Sequence, residues 1–181
     1  MCALGTGAQT YYNWKRCLQN QLATQMRTMA ELIWATDDVS WATLISNDVF
    51  DDLEIRVVTG GETNPPTERQ LQAVAEIEAL TKQDLVRIAE LARKYAKDNL
   101  EPEDLEEMED EDYEVEIYSA TIPRLRDATD TFVLFAANSE IDMEHGVACV
   151  CKNGKQFAVV DADCVYQNYD WDSVDELNAL L

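Results

Sequence analysis

The stretch SEIDMEHGVACVCKNGKQFAVV, Ser139 to Val160, decides the fold of the second half of the chain. Two apolar runs flank Asn153-Gly154, a pair typical of a type I′ turn, in which both central residues have a positive φ. The stretch therefore predicts a hairpin of two antiparallel strands. A two-residue turn would pair Val147 with Val160.

The first strand of this hairpin contains a Cys-x-Cys pair. Residues two apart on a strand share one face, with α-carbons about 6.6 Å apart and nearly parallel side chains, so a disulfide between Cys149 and Cys151 would be distorted. Packed, reduced thiols are predicted instead. The cysteines of the chain are odd in number and lack the paired spacing of a structural zinc site; they are Cys2, Cys17, Cys149, Cys151 and Cys164.

Carboxylates crowd the open end of the predicted hairpin. If the ladder continues past Gly146, that residue lies opposite Asp161, and Glu144 lies opposite Asp163. The candidate residues for binding a partner or a cation are Glu140, Asp142, Glu144, His145, Asp161 and Asp163. Oxygen ligands of this kind suit Ca²⁺ or Mg²⁺, whereas acids at strand ends also commonly cap turns.

His145 is the only histidine in the chain. Its position before Gly146 is compatible with three roles: a general base, a turn residue that donates to a neighbouring carboxylate, or a contact to a partner. No nucleophile, second histidine or phosphate-binding loop accompanies it. No catalytic residue is therefore predicted, and the chain is not expected to be an enzyme.

The beginning of the chain is predicted to be a helical arm. Aromatic, Leu and Met residues recur at helical spacing from Thr10 to about Ala35, which predicts an amphipathic helix whose apolar stripe serves the core or a homodimer interface. Residues 1–36 are accordingly assigned to a tail and helical arm. Residues 37–181 are assigned to a single α+β domain.

A strand and a pair of helices are predicted next. Leu53 to Thr59 alternates and is rich in β-branched residues, as strands are. Asn64 is predicted to cap a helix whose first positions are Pro65 and Pro66. Thr81 with Asp84 resembles a capping box, which predicts the start of a second helix.

An acidic run separates this helix pair from a β-rich second half. The segment EPEDLEEMEDEDYEVE, residues 101–116, contains no Lys or Arg and is expected to be a solvated linker. Further strands are predicted over 115–122, 131–137 and 164–166, and Asp172 is predicted to cap a short helix whose leucines dock on the sheet. The fold class is α+β: an N-terminal helix and a helix pair packed on a mostly antiparallel sheet, with a short C-terminal helix.

The composition limits the classes of partner. Lys and Arg number 14 against 36 Asp and Glu, giving a formal net charge of −22, which disfavours direct binding to nucleic acid or to an anionic membrane surface. The same charge favours a basic protein partner or bound cations. No stretch has the length and hydrophobicity of a membrane span, and the polar N-terminus lacks the apolar core of a signal peptide, so a cytoplasmic protein is expected.

The order of these parts resembles a group of uncharacterised bacterial cytoplasmic domains. The shared features are a strand before a Pro-started helix pair (PPTERQLQAVAEIEALTKQDL), an acidic link, and the D-x-E-H-G and N-G-K motifs of the hairpin, over about Leu53 to Tyr166. Some of these domains are immunity-like proteins. The resemblance implies no catalytic residues and favours a binding role.

These features predict a non-enzymatic acidic interaction protein that binds a basic protein partner, as an immunity-like or inhibitor protein does. Two alternatives stay open. The first is a divalent-cation-binding or metal-assisted hydrolytic domain that uses the hairpin carboxylates with Ca²⁺ or Mg²⁺. The second is a DNA-mimicking inhibitor, whose acids would be spaced like phosphates. No other cofactor is expected.

Overall fold

Alternating and β-branched segments form one mixed sheet of seven strands within the part of the chain that the structure describes. The structure is a computed structural model, and the described residues are 32–35, 40–61, 64–125, 128–142, 146–163 and 174–181. All of them belong to one unit, Glu31–Leu181. The strands are β1 Ile33–Trp34, β2 Ser40–Ile45, β3 Leu53–Val58, β4 Glu116–Ile122, β5 Phe132–Asn138, β6 Val147–Lys152 and β7 Gln156–Asp161.

The strands follow one another across the sheet in the order of the chain. Every neighbouring pair is antiparallel except β3 and β4, which are parallel. A parallel pair needs a crossover connection, and here the crossover carries three helices and a 3₁₀ turn. These are α1 Glu68–Glu78, α2 Lys82–Asn99, α3 Pro102–Glu107 and the 3₁₀ turn Asp110–Tyr113; a short helix, α4 Val174–Ala179, follows the sheet. The predicted α+β class is confirmed.

The crossover helices cover one face of the sheet. Helix α1 contacts β4, and α2 contacts β7, where the guanidinium of Arg87 lies 5.7 Å from the centroid of the Phe157 ring. Phe157 pairs with Cys151, so this is also the face of the Cys-x-Cys pair. The centre of the face is fully buried at Ile55, Ala120 and Phe135, which lie side by side on β3, β4 and β5.

Helix α4 covers part of the opposite face. Leu177 is completely buried in a cluster with residues of β5 and β6 and with Ala162. Phe132 and Leu134 contribute from β5, and Ala148 and Val150 from β6. The prediction that a C-terminal leucine docks on the sheet is confirmed, while its predicted cap, Asp172, lies outside the described residues.

Helix α1 begins later than the sequence predicted. Its N-cap is Thr67, whose backbone N–H donates to Gln70 Oε1 at 3.0 Å, while Gln70 N–H donates to Thr67 Oγ1 at 3.2 Å. This reciprocal pair satisfies two free donors of the first turn, which Asn64 alone would not do. The Asn64 amide donates instead to the Thr59 carbonyl at 3.3 Å, so the predicted Asn64 cap was wrong.

The predicted start of α2 is confirmed. The Asp84 carboxylate accepts hydrogen bonds from the backbone N–H of Thr81 at 2.9 Å and from its hydroxyl at 2.7 Å. A carboxylate in the first turn also interacts favourably with the helix dipole. Aspartate thus takes the place that Glu or Gln usually holds in a capping box.

Gln70 ties α1 to the ends of two strands. Its side chain is buried, and Nε2 donates to the carbonyls of Val58 at 2.7 Å and Pro123 at 3.2 Å. We expect Gln70→Leu to lower the free energy of unfolding by about 2–3 kcal/mol, because both buried carbonyls lose their donor. Urea denaturation measures the change.

Gln72→Leu is the matched control for this prediction, because Gln72 is exposed on the same helix. It should change the free energy of unfolding by less than about 0.5 kcal/mol. Equal effects of the two substitutions would show that the Gln70 hydrogen bonds do not stabilise the fold.

The hairpin turn has the predicted conformation but a different register. Asn153 and Gly154 have φ values of 54° and 62°, and Lys155 N–H donates to the Lys152 carbonyl at 3.1 Å. Pairing begins at Lys152 and Gln156, however, so Lys155 is an additional residue in the turn. Val147 therefore pairs with Asp161 rather than with Val160, and the predicted register was wrong by one residue.

Hydrogen bonds outside the hairpin hold this longer turn. The backbone N–H of Asn153 donates to the Thr131 carbonyl at 3.1 Å, and its side-chain oxygen accepts from the Thr131 N–H at 3.0 Å. Asn153 Nδ2 donates to Asp130 at 2.9 Å. The turn is thus fixed by the loop before β5, which the local sequence pattern does not contain.

Two strands near the beginning of the domain were not predicted. Ile33 pairs with Ala42 and Trp34 with Trp41, and the two indole rings meet edge to face at 5.5 Å. The predicted N-terminal helix was wrong at Ile33 and Trp34, because pairing with β2 makes these residues a strand. Residues 10–31 of that helix, with the predicted homodimer interface, and the predicted strand over 164–166 lie outside the described residues.

The acidic run is more structured than expected. It contains α3, which starts at Pro102 and has Glu103 and Asp104 in its first turn, where the helix dipole favours negative charge. Tyr113 is buried, and the Arg93 guanidinium of α2 lies 4.8 Å from the centroid of its ring. These local interactions offset the like-charge repulsion that disfavours compact structure in the run.

Candidate interaction surface

The sheet topology brings four separate segments of the chain to one end of the sheet. Because β3 and β4 are parallel and the other neighbours are antiparallel, the β2–β3 turn, the start of β4, the β5–β6 connection and the end of β7 all meet there. Glu116 pairs with Asn138, and Val147 pairs with both Ala137 and Asp161. Residues distant in sequence are therefore neighbours at this end.

These four segments are rich in carboxylates and contain no Lys or Arg over residues 46–52, 114–116, 138–142 and 161–163. We call this surface the acidic end, and its acids are Asp48, Asp51, Asp52, Glu114, Glu116, Glu140, Asp142, Asp161 and Asp163. The five strand spacings from β2 to β7 extend over about 24 Å. Carboxylates concentrated on such a surface produce a local negative potential that attracts cationic groups.

Four of the six residues predicted from the hairpin lie at the acidic end. They are Glu140 and Asp142, which follow β5, and Asp161 and Asp163 at the end of β7. Glu144 and His145 lie outside the described residues. The predicted opposition of Gly146 and Asp161 was wrong, since Asp161 pairs with Val147.

Some of these groups also shape the backbone. Asp161 Oδ1 accepts from the backbone N–H of Asp163 at 2.7 Å, and the Asp142 carbonyl accepts from Gly146 N–H at 2.9 Å. Gly146 has a φ of 75°, a conformation that favours glycine. The turn-capping role considered from the sequence is thus observed for Asp161, alongside its position on the acidic end.

The β2–β3 turn also contributes to the acidic end, which the sequence did not predict. Asn47 Oδ1 accepts from the backbone N–H groups of Val49 and Phe50, both at 2.8 Å. The Asp52 carboxylate accepts from the Ser46 hydroxyl. Asp48 and Asp51 are exposed on this turn. The sequence feature that could have indicated it is SNDVFDD, a segment rich in turn-forming residues directly before a predicted strand.

The opposite end of the sheet has a different charge pattern. Lys152 Nζ lies 3.0 Å from the Asp130 carboxylate, and Lys155 and Arg124 are exposed nearby on the turn and on the connection after β4. Two hydrogen bonds lower the pKa of the Asp130 carboxyl group, and the one from Asn153 has a larger effect than the one from Lys152. Basic side chains thus accompany the acids here, in contrast to the segments of the acidic end.

The Cys-x-Cys pair lies in the core and away from this surface. Cys149 and Cys151 are free and buried, which confirms the prediction of packed thiols for these two residues. Burial raises the pKa of the Cys149 thiol well above its ordinary value and raises the pKa of Cys151 to about 12. Both groups therefore remain protonated at neutral pH and are poor nucleophiles.

We expect neither Cys149 nor Cys151 to react with iodoacetamide in the folded protein at pH 8, because alkylation requires an accessible thiolate. Peptide mass spectrometry after a timed reaction measures the modification at each position. The same reaction in denaturant should modify both. Rapid alkylation of either thiol before unfolding would contradict the buried position.

Among the described residues, no three His, Cys, Asp or Glu side chains are arranged so that they could hold a metal ion. No helix in the same part of the chain is long and apolar enough to cross a membrane. The predicted cation site also includes Glu144 and His145, so it stays a prediction.

Comparisons with known proteins identify the family. No curated protein and no solved structure matches the chain. One protein-family model, described as a domain of unknown function (DUF6985), matches residues 31–166. The match includes β1 to β7 and thus begins before the resemblance expected from Leu53. Because it spans most of the chain, the protein belongs to the DUF6985 family.

Proposed function

We propose that this protein is a non-enzymatic interaction protein whose acidic end binds a basic protein partner, as an inhibitor or immunity-like protein does. The observation that carries the proposal is the convergence of acids from four chain segments without any Lys or Arg in those segments. A solvated acidic tail would contribute negative charge without a fixed arrangement of carboxylates. A sheet holds its charges at fixed positions, which is what specific recognition of a basic surface requires.

The overall charge supports the same function. A formal net charge of −22 produces a long-range field that draws a basic protein toward the molecule and repels nucleic acid and other acidic proteins. The acidic end then orients the encounter, because it combines this field with a defined arrangement of carboxylates. No observation on the described residues favours the cation-binding or DNA-mimicking alternatives.

The proposal is tested with two variants that lose the same charge at different places. The first neutralises four exposed acids of the acidic end: Asp48→Asn, Asp51→Asn, Glu114→Gln and Glu116→Gln. The second neutralises four exposed acids on the helices: Glu68→Gln, Glu90→Gln, Asp98→Asn and Asp104→Asn. All eight positions are exposed, so both variants should keep the fold.

The probe is a synthetic peptide of alternating lysine and serine, titrated by calorimetry at low salt. We expect the acidic-end variant to bind the peptide about tenfold more weakly than the wild type does. The helix variant should lose less than about threefold in affinity, because close charges act more strongly than distant ones. Equal losses would show that only net charge matters and would contradict the proposal. A parallel titration with Ca²⁺, Mg²⁺ and Mn²⁺ tests the cation alternative.

A further inference from the structure

Part of the sheet face opposite α1 and α2 exposes large apolar side chains. Among the described residues, helix α4 packs against this face over β5 and β6 and near Val160 of β7. On β1, β2 and β4 the side chains of Ile33, Leu44 and Tyr118 are 63%, 62% and 53% exposed. Single exposed apolar residues are ordinary on a protein surface, whereas several large ones on one part of a sheet suggest an interface.

The strand register places Ile33 and Leu44 on this face. Ile33 pairs with Ala42, which lies two residues before Leu44 and therefore on the same face of β2. Leu44 pairs with Glu54, which in turn pairs with Ser119, the residue after Tyr118. The exposed apolar residues thus lie on β1, β2 and β4, with Glu54 of β3 between Leu44 and Ser119, and we call this part of the sheet the open face.

A β-bulge accounts for the exposure of Tyr118. Ile117 pairs with Ala137, but Ser119 pairs with Ala136, so Tyr118 is an additional residue between them. Without the bulge, simple alternation would place Tyr118 on the covered face with Ala120. Bulges commonly redirect a side chain in this manner, and on this basis we assign the exposed ring of Tyr118 to the open face.

The open face adjoins the acidic end. The strand that carries Leu44 leads directly into the turn with Asp48 and Asp51. Within the face, Glu54 lies between Leu44 and Ser119, and its carboxylate is 2.6 Å from Arg56 Nε. Glu54 and Arg56 thus form an ion pair within the face, whereas the four segments of the adjoining acidic end contain no Lys or Arg. The net charge of −22 opposes the approach of a second copy of this chain.

We propose that the open face binds an apolar surface of the same basic protein partner, while the partner's Lys and Arg side chains contact the acidic end. This inference rests on the proposed function and assigns the apolar half of its interface. In such an interface, acids accelerate and orient the encounter. The large apolar side chains, with Tyr118 among them, supply most of the affinity.

The test compares two peptides of equal length and charge, one of lysine and leucine and one of lysine and serine. The variants are Leu44→Ser and Tyr118→Ser, and the matched control is Val86→Ser, because Val86 is an exposed apolar residue on α2. Circular dichroism and thermal melting verify that each variant is folded. Calorimetry gives the dissociation constant for each pair.

The wild type should bind the lysine-leucine peptide at least about tenfold more tightly than the lysine-serine peptide, and Leu44→Ser and Tyr118→Ser should each remove most of this difference. Neither substitution should change binding of the lysine-serine peptide, and Val86→Ser should change neither. If the two open-face variants bind the leucine peptide like the wild type, or if Val86→Ser weakens it equally, the inference is overturned.

Failure of the inference is distinguishable from failure of the proposed function. If the acidic-end variant binds the lysine-serine peptide more weakly but Leu44→Ser does not change binding of the lysine-leucine peptide, only the inference fails. If the acidic-end variant has no selective effect on either peptide, both fail. Sedimentation that shows a dimer disrupted by Leu44→Ser would assign the open face to self-association and would also overturn the inference.

Discussion

Replacing Phe135 by alanine is expected to lower the free energy of unfolding by about 3–5 kcal/mol, the range typical of a fully buried aromatic residue. Phe135 lies at the centre of β5 and is completely buried. Its ring stacks on Phe50, with 6.4 Å between the ring centroids. Its strand neighbours Ala120 and Cys149 are small, so they cannot fill the cavity that the substitution leaves.

Guanidinium denaturation measures this effect, and Phe157→Ala is the matched control. Phe157 lies on β7 at the margin of the same face and is only partly buried. Its removal should cost about 1–2 kcal/mol, since less apolar surface leaves the core. If Phe135→Ala destabilises the protein no more than Phe157→Ala, the core is not centred on β5 as described.

The second large effect concerns the rate of association with a basic partner. Raising the ionic strength from about 20 mM to about 300 mM is expected to slow binding of the lysine-serine peptide by about 10–100-fold, because the Debye length falls from roughly 20 Å to roughly 6 Å. At the higher ionic strength, the Debye length is shorter than the distance over which the acidic end extends. Stopped-flow fluorescence with a labelled peptide gives the association rate constant.

The acidic-end and helix variants serve as controls for this rate. The acidic-end variant should show a shallower dependence on salt than the helix variant, although the two have the same net charge. The dissociation rate should change less than the association rate in all three proteins, as expected for electrostatic steering. An association rate that is independent of ionic strength would contradict the proposed role of the carboxylates.

Sequence patterns correctly predicted the elements that are stabilised by interactions between residues close together in the sequence. The Asn-Gly pair predicted the positive φ values at the hairpin turn, because few other residues adopt them readily. The Thr81 and Asp84 pair predicted the start of α2, since the hydrogen bonds of a capping box lie within four residues. Alternation likewise predicted β3 within one residue of its end.

The missed features depend on contacts between residues that are distant in the sequence. The hairpin register follows from hydrogen bonds between Asn153 and Thr131, which the hairpin sequence cannot show. Strand β1 is short and owes its conformation to pairing with β2 and to the contact between Trp34 and Trp41. Its residues continue a helical pattern of apolar spacing, so periodicity alone indicated the wrong structure.

The acidic end was only partly predictable for the same reason. The hairpin carboxylates Asp142, Asp161 and Asp163 were recognised because they flank the open end of one hairpin. Glu116 joins them through the pairing of β4 with β5, and Asp48 joins them only through the parallel pairing of β3 with β4, which brings together segments separated by the whole crossover. The sequence identifies acids in each segment, but only the strand order shows that they share one surface.

The most direct test of a binding surface at the acidic end is a map of backbone amide chemical shifts during titration with the lysine-serine peptide. We expect the largest changes in residues 46–52, 114–116, 138–142 and 161–163, with smaller changes over α1 and α2. Changes confined to α3 or spread evenly over all exposed acids would contradict the proposal that this end of the sheet recognises a basic partner.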